Sequence, residues 1–291
     1  MATILKPVLC VLLVVFSSWA SFPGSTNAAP TPESINIGPV EISGLWQQGE
    51  LLRGKAPAGA KVEVFGQTPV ILPDGRFLIG LDRDAPSSLD IHVALNKQRW
   101  QQSLHITQRQ YNLQRVNGVE EKYVNPDPAQ TARIAREAKL IAAARARRDA
   151  APAALQPFSW PAKGPISGVY GSQRIFNGVP KRPHYGIDIA GPVGAKVLAP
   201  QAGLVTLAEA DLFYSGGTII IDHGLGLSST CMHLSQVLVK AGQRVQHGDL
   251  IGLIGKTGRV TGPHLDWRMN WHNQQIDPEP LVRGKPMPEF Q

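Results

Sequence analysis

Cysteine is scarce in this chain: its 291 residues include two, Cys10 and Cys231. No disulfide framework can brace a chain so poor in thiols, so stability must come from packing, with a bound metal as a further staple. Long apolar runs are missing as well. The run from Val8 to Phe16 is roughly half the length that a typical membrane-spanning helix needs. From Phe158 to about Val282 no helix-length amphipathic pattern occurs, which leaves that half of the chain to strands. Acidic residues are outnumbered, 22 against 29 basic, giving a net charge of +7 and a pI near 9.5. That balance favours anionic partners, and composition alone does not choose among nucleic acid, acidic lipid and anionic wall polymers.

What is present at the N-terminus has an order. Lys6 precedes the apolar run, and the small and polar residues that follow (Ser17, Ser18, Ser21, Ser25, Thr26, Ala28, Ala29) end at Pro30. Charged, apolar, then small is the order of a secretory signal peptide, here residues 1–29, and it predicts an exported protein, periplasmic or secreted and associated with the cell envelope. The alternative is an uncleaved anchor, which the short run argues against. Removing the signal leaves Cys231, whose neighbours Thr230 and Met232 place it as a small buried side chain in a strand.

The rest reads as mainly β. Residues 35–115 carry short alternating segments such as Lys61-Val62-Glu63-Val64-Phe65 and Asp90-Ile91-His92-Val93-Ala94-Leu95, with a turn at Pro73-Asp74-Gly75. This spacing predicts a small β-sandwich-like domain, with His92 and His105 on its polar face. A helix is expected over 126–150: Asp127-Pro128-Ala129-Gln130 supplies a cap, a first-turn proline and a capping-box partner, and Ile134, Ala138, Ile141 and Ala142 repeat at helical spacing. Arg133, Arg136, Lys139, Arg145, Arg147 and Arg148 make it basic, the pattern of a solvated linker, with attraction to an anionic wall or membrane as a further use. Residues 158–285 then form a compact antiparallel β-domain, Gly-rich at its turns.

Three segments of that second domain carry chemistry. His184 and Asp188 would lie roughly 13 Å apart in a straight strand, too far to share an ion whose ligand atoms sit at ~2 Å, so the segment must bend, and Gly186 permits it. Imidazole with carboxylate suits zinc without excluding manganese or iron. His264 and Asp266 are two apart, so a strand presents both on one face, with Leu265 and Trp267 on the other. His233 follows Thr230-Cys231-Met232 and delivers another imidazole from a neighbouring strand. His223 begins a turn and is expected to cap it, while His247 and His272 fall in polar loops and are expected at the surface. Gly255-Lys256-Thr257-Gly258 looks like the end of a phosphate loop, but the preceding glycine spacing fails and no helix follows, so it is a turn. Lys240 and Lys256 lack the hairpin-tip context of a biotinyl or lipoyl carrier.

His184-Tyr185-Gly186-Ile187-Asp188, Thr230-Cys231-Met232-His233-Leu234-Ser235 and Gly262-Pro263-His264-Leu265-Asp266-Trp267, in this order, resemble the motifs of the lysostaphin-type (LytM-like) zinc metalloendopeptidases. The resemblance covers Phe158 to about Val282. It implies a groove in the C-terminal β-domain with His184 and Asp188 as zinc ligands and His233 and His264 as catalytic histidines. It also implies peptidoglycan peptides rather than nucleic acid as the partner, and it leaves the oligomeric state open. One position departs from the family pattern. Asp266 stands where a second histidine is usual, so the expected ligand set is His184, Asp188 and Asp266, one imidazole and two carboxylates. A carboxylate reaches zinc at a similar distance, but two anionic ligands weaken the ion's pull on a water. The same departure raises an alternative, an inactive module that uses the groove to bind peptidoglycan or activate a hydrolase.

Overall fold

The computed structural model describes residues 31–116, 128–176, 179–180 and 182–287. The signal-peptide reading and the Asp127 cap lie outside the described residues. Seven strands come first: β1 (Glu33–Ile37), β2 (Val40–Gly44), β3 (Leu51–Lys55), β4 (Lys61–Val64), β5 (Arg76–Gly80), β6 (Ser88–Leu95) and β7 (Gln98–His105). They form one sheet in the order β1-β2-β3-β5 and a second in the order β4-β6-β7. Alternation directs the side chains: Leu89, Ile91 and Val93 of β6 are buried while Asp90 and His92 face water. Ile42, Leu52 and Phe77 from the first sheet share an apolar core with Val62, Val64, Ile91 and Val93 from the second. The Pro73-Asp74-Gly75 turn sits at the entry to β5, where Gly75 has φ +87° and a Cβ would strike the Ala56 carbonyl.

After β8 (Leu113–Val116) comes helix α1 (Pro128–Arg145). It departs from the solvated linker expected of so basic a segment. Ala144 and Ile141 pack against Leu207, Leu212 and Ile220. Glu137 is buried, and its carboxylate accepts from Arg133 Nε at 2.6 Å and from the Phe213 amide at 2.8 Å. Arg133 also reaches Asp211. Two of the helix's charges are thus spent on pairing, and its narrow apolar stripe is enough to dock it, whereas Arg136 and Lys139 stay exposed.

The remaining strands are β9 (Ile166–Gly168), β10 (Gln173–Phe176), β11 (Val179–Pro180), β12 (Gly186–Ala190), β13 (Lys196–Leu198), β14 (Gly203–Leu212), β15 (Gly216–Gly224), β16 (Leu227–Val237), β17 (Arg244–Val245), β18 (Leu250–Ile254), β19 (His264–Trp271) and β20 (Gln274–Ile276), followed by a one-turn helix α2 (Glu279–Val282). The main sheet runs β17-β14-β15-β16-β19-β12-β9, with β18 joined to β16 and β13, and β20 to β19. β15 is buried along its whole length and β16 over its first eight residues, so no alternation of exposure survives there. Cys231 is buried as expected, and burial pushes its thiol up to about 12.

Two histidine expectations fail in this region. His223 does not cap a turn: it lies inside β15, fully buried, with Nδ1 donating to the Ala202 carbonyl at 2.8 Å and Nε2 at 2.9 Å from the Ser229 hydroxyl. His272 is not at the surface either. It is buried beside Trp271, with φ +51°, in the tight turn between β19 and β20. His247 is exposed as expected.

Candidate metal centre

The register of the central strands assembles the site. Asp188 of β12 lies directly opposite Asp266 of β19, and Ala190 opposite His264. Just before β12, the His184 amide donates to the Ser172 carbonyl and its own carbonyl accepts from Gly171, each at 2.7 Å. The chain from residue 182 to 185 is irregular and β12 begins at Gly186, and the two side chains meet as expected: His184 Nε2 lies 3.3 Å from Asp188 Oδ1. His184 Nδ1 is 3.9 Å from Asp266 Oδ2. One ligand atom from each of His184, Asp188 and Asp266 falls within 4.8 Å of the other two. Asp188 Oδ1 is buried and, among the described residues, accepts no hydrogen bond, an expensive arrangement unless a cation takes up its lone pairs. One imidazole nitrogen and two carboxylates, converging on such an oxygen, fit a zinc-sized ion.

Gly186 has a second duty. A Cβ there would meet Arg268 Cγ at 2.6 Å and Asp266 Oδ1 at 2.7 Å, because the Arg268 side chain crosses over β12 to reach Asp266. The pairing is a fork: Arg268 Nη2 donates to Asp266 Oδ2 at 2.6 Å, and Nε donates to Oδ1 at 3.0 Å. Burial alone would raise the Asp266 carboxyl, but the Arg268 guanidinium holds it well below the usual carboxylate range. Asp188 goes the other way, raised by burial with only partial relief from His184. The reading of the sequence had no role for Arg268. Its signal was there, since Asp266 and Arg268 are two apart and share a strand face.

His233 and His264 stand beside this group, their rings 4.9 Å apart. His233 Nδ1 lies 2.9 Å from the Thr257 carbonyl, and His264 Nδ1 lies 2.9 Å from the Gly262 carbonyl. A carbonyl can only accept, so Nδ1 carries the proton in both rings and a neutral ring keeps its lone pair on Nε2. His264 Nε2 is 3.6 Å from Asp188 Oδ1. Burial pushes His233 down to about 4, so it is neutral at pH 7. Its backbone is in the left-handed region, φ +65°, at a bulge in β16. The Ser215 carbonyl accepts from its amide at 2.8 Å and helps to hold that conformation. The Gly255–Gly258 segment is irregular, as read, and Thr257 within it positions His233.

Residues 182–278 match the family model described as Peptidase family M23. The peptidoglycan DD-endopeptidase ShyA of Vibrio cholerae is 38% identical over 136 residues, 46% of this chain and 29% of ShyA. The DD-carboxypeptidase/endopeptidase Mpg of Neisseria meningitidis is 36% identical over 105 residues, 36% of this chain and 24% of Mpg. The match thus spans less than a third of either relative. A peptidase M23 crystal structure from Pseudomonas aeruginosa superposes with a TM-score of 0.65 at 26% identity, covering 82% of this chain and 96% of that one.

Proposed function

From the premise that this chain belongs to peptidase family M23 through residues 182–278, we propose that it is an exported zinc endopeptidase hydrolysing peptide cross-links of bacterial peptidoglycan. We also read residues 1–29 as its export signal, 35–115 and 158–285 as its two domains and 126–150 as the connecting segment. The kinship with ShyA and Mpg favours a D,D-type bond as substrate. His184, Asp188 and Asp266 would hold the zinc, which when bound polarises a scissile carbonyl and acidifies a water.

The observation that carries this reading is the Arg268 fork on Asp266. A second carboxylate ligand would by itself make the ligand set more anionic than one with two histidines. Arg268 adds a positive charge directly behind it, so neutral His184, Asp188, Asp266 and Arg268 together carry the same formal charge as two neutral histidines with one aspartate. Each Asp266 oxygen retains lone-pair capacity beyond the guanidinium contact, and a hydrogen bond from behind is how ligating carboxylates are commonly oriented. Neutral His233, its Nδ1 proton committed to Thr257, keeps Nε2 to accept a proton from water. His264, fixed in the same tautomer by Gly262, offers a second Nε2 to shuttle that proton and, once protonated, to stabilise the developing oxyanion.

The rival reading is an inactive module for binding peptidoglycan or activating a hydrolase, and it draws on the same pair, with the guanidinium substituting for the metal. Zinc content of protein purified without chelators, measured beside dye release from labelled peptidoglycan, separates the two. One zinc per chain with release is expected. Substoichiometric zinc, no release and intact binding to sacculi would establish the rival.

A further inference from the structure

The face of the main sheet that bears the metal group also bears the docked helix. Leu207, Ile220, Thr230, Arg268 and Gly186 form one lateral row across β14, β15, β16, β19 and β12, each opposite the next. Helix α1 lies over the Leu207 and Ile220 end of this row. Its last residue, Arg145, reaches along the row, and Nη2 donates to the Thr230 hydroxyl at 2.9 Å. Thr230 is directly opposite Arg268. Two guanidinium groups, one from the helix and one from the sheet, therefore share this face, near enough for Arg268 to repel the Arg145 charge.

Their charges are not equally answered. Asp266 takes Nε and Nη2 of Arg268. Among the described residues Arg145 has the neutral Thr230 hydroxyl as its hydrogen-bond acceptor, its Nε is buried without a partner, and the carboxylate that attracts it, Asp266, is already held by Arg268. Burial pushes the Arg145 guanidinium down to about 10, and Arg268 and Arg182 add to that by repulsion. Arg182, with its guanidinium 5.7 Å from the Tyr185 ring centre, is a third cation whose repulsion Arg145 feels. A partly buried guanidinium with an unused donor and other guanidiniums around it is under-compensated, and a further anion would relieve it.

We propose that Arg145 and Arg268 form a carboxylate-binding subsite beside the metal group, so that the peptide taken there carries a free carboxylate one to two residues from the bond to be cut. The inference rests on the reading of the metal centre as a peptidoglycan-peptide site, and it assigns that peptide a charge and a position. The position follows from the fork: Arg268 touches Asp266, so a carboxylate held on Arg268 and Arg145 lies close beside the metal group, within roughly two peptide units, ~7 Å. It also gives the helix a role at the site, since Ala144 and Ile141 dock it where its terminal arginine reaches Thr230 of the row.

The test compares N-acetyl-D-alanyl-D-alanine with its C-terminal amide, titrated calorimetrically into the full chain while cleavage is followed in the same samples. The acid should bind roughly ten- to a hundredfold tighter than the amide, the scale of a charge-assisted hydrogen bond. Arg145→Gln should cut that preference to about twofold or less, and Arg145→Lys should keep part of it. Thr230→Val removes the hydroxyl that holds Arg145 without removing charge, and it should lower the preference by a smaller factor, which guards against a misfolded Arg145 variant. Equal affinity for acid and amide, or a preference that survives Arg145→Gln in folded protein, overturns the subsite. Preference without any cleavage supports the subsite and counts against the enzymatic reading. Cleavage of acid and amide peptides at equal kcat/KM does the reverse.

Discussion

The two β-regions treat polar residues in opposite ways. In β6 and β7 the polar side chains face water, and His92 and His105 are exposed. In β15 and β16 they are inside: Thr218, Asp222, His223, Ser228, Ser229, Thr230 and His233 are all buried. A buried polar group without a partner costs about 1–3 kcal/mol, so a fold that needed only stability would resemble the N-terminal sheets. The C-terminal sheet meets the cost with partners, several of them around the candidate metal centre: Ser215 and Thr257 hold His233, Gly262 holds His264, and Arg268 holds Asp266. Both regions are held by apolar packing, and the C-terminal one adds a buried polar network to it.

The comparison can be strained by substitution, beginning where the effect should be largest. His184→Ala or Asp188→Ala should abolish zinc binding and take hydrolysis below detection, with circular dichroism showing the β-core intact, because both side chains converge on the ion while apolar packing lies elsewhere. Full zinc occupancy in either variant removes that residue from the ligand set. Next, Arg268→Met should destabilise the metal-free protein by about 3 kcal/mol, since it strands a buried carboxylate. Added zinc should narrow the difference in Tm, because the ion neutralises Asp266 in its place. A Tm unchanged without metal would show that the fork contributes nothing.

His233→Ala or His264→Ala should spare zinc and lower kcat roughly a hundredfold, the usual scale for a positioned acid-base or oxyanion group. Near-native turnover with zinc bound would deny both their roles. The smallest effect belongs to the other region and should touch stability alone. Burial raises Glu50 from 4.5 to about 7. Its folded pKa lies above its unfolded one, so the folded state holds the proton more tightly, and stability is fully present below about 4.5 and lost as pH rises to about 7. Glu50→Gln should therefore gain about 2 kcal/mol over the native chain at pH 8 and nothing at pH 4. Denaturant titration at the two pH values measures it, and a gain independent of pH would reject the cause given.

Much of the site was legible because its geometry is local. Period two places His264 and Asp266 on one face, and the length of a straight strand forces the bend between His184 and Asp188. The mainly β architecture was legible from alternation in the N-terminal strands and from β-branched runs such as Thr218-Ile219-Ile220-Ile221. What escaped depends on neighbours distant in sequence. Nothing near His223 announces that Ala202 and Ser229 will satisfy both its nitrogens, and nothing near His272 says that the turn will bury it. Helix α1 reads as solvated because its charges dominate its composition, yet Asp211 and Phe213, more than seventy residues on, answer Arg133 and Glu137. The Arg268 fork falls between these cases: the spacing was visible, while its direction toward Asp266 depends on Gly186 of another strand leaving room.

Zinc titration of Asp266→His beside the native chain tests the central claim most directly, that Asp266 backed by Arg268 is a working ligand. The account predicts one zinc per native chain and no tighter binding after the swap, because histidine removes the negative charge that Arg268 balances. A native chain that binds no zinc, with Asp266→His creating a tight site, would contradict it.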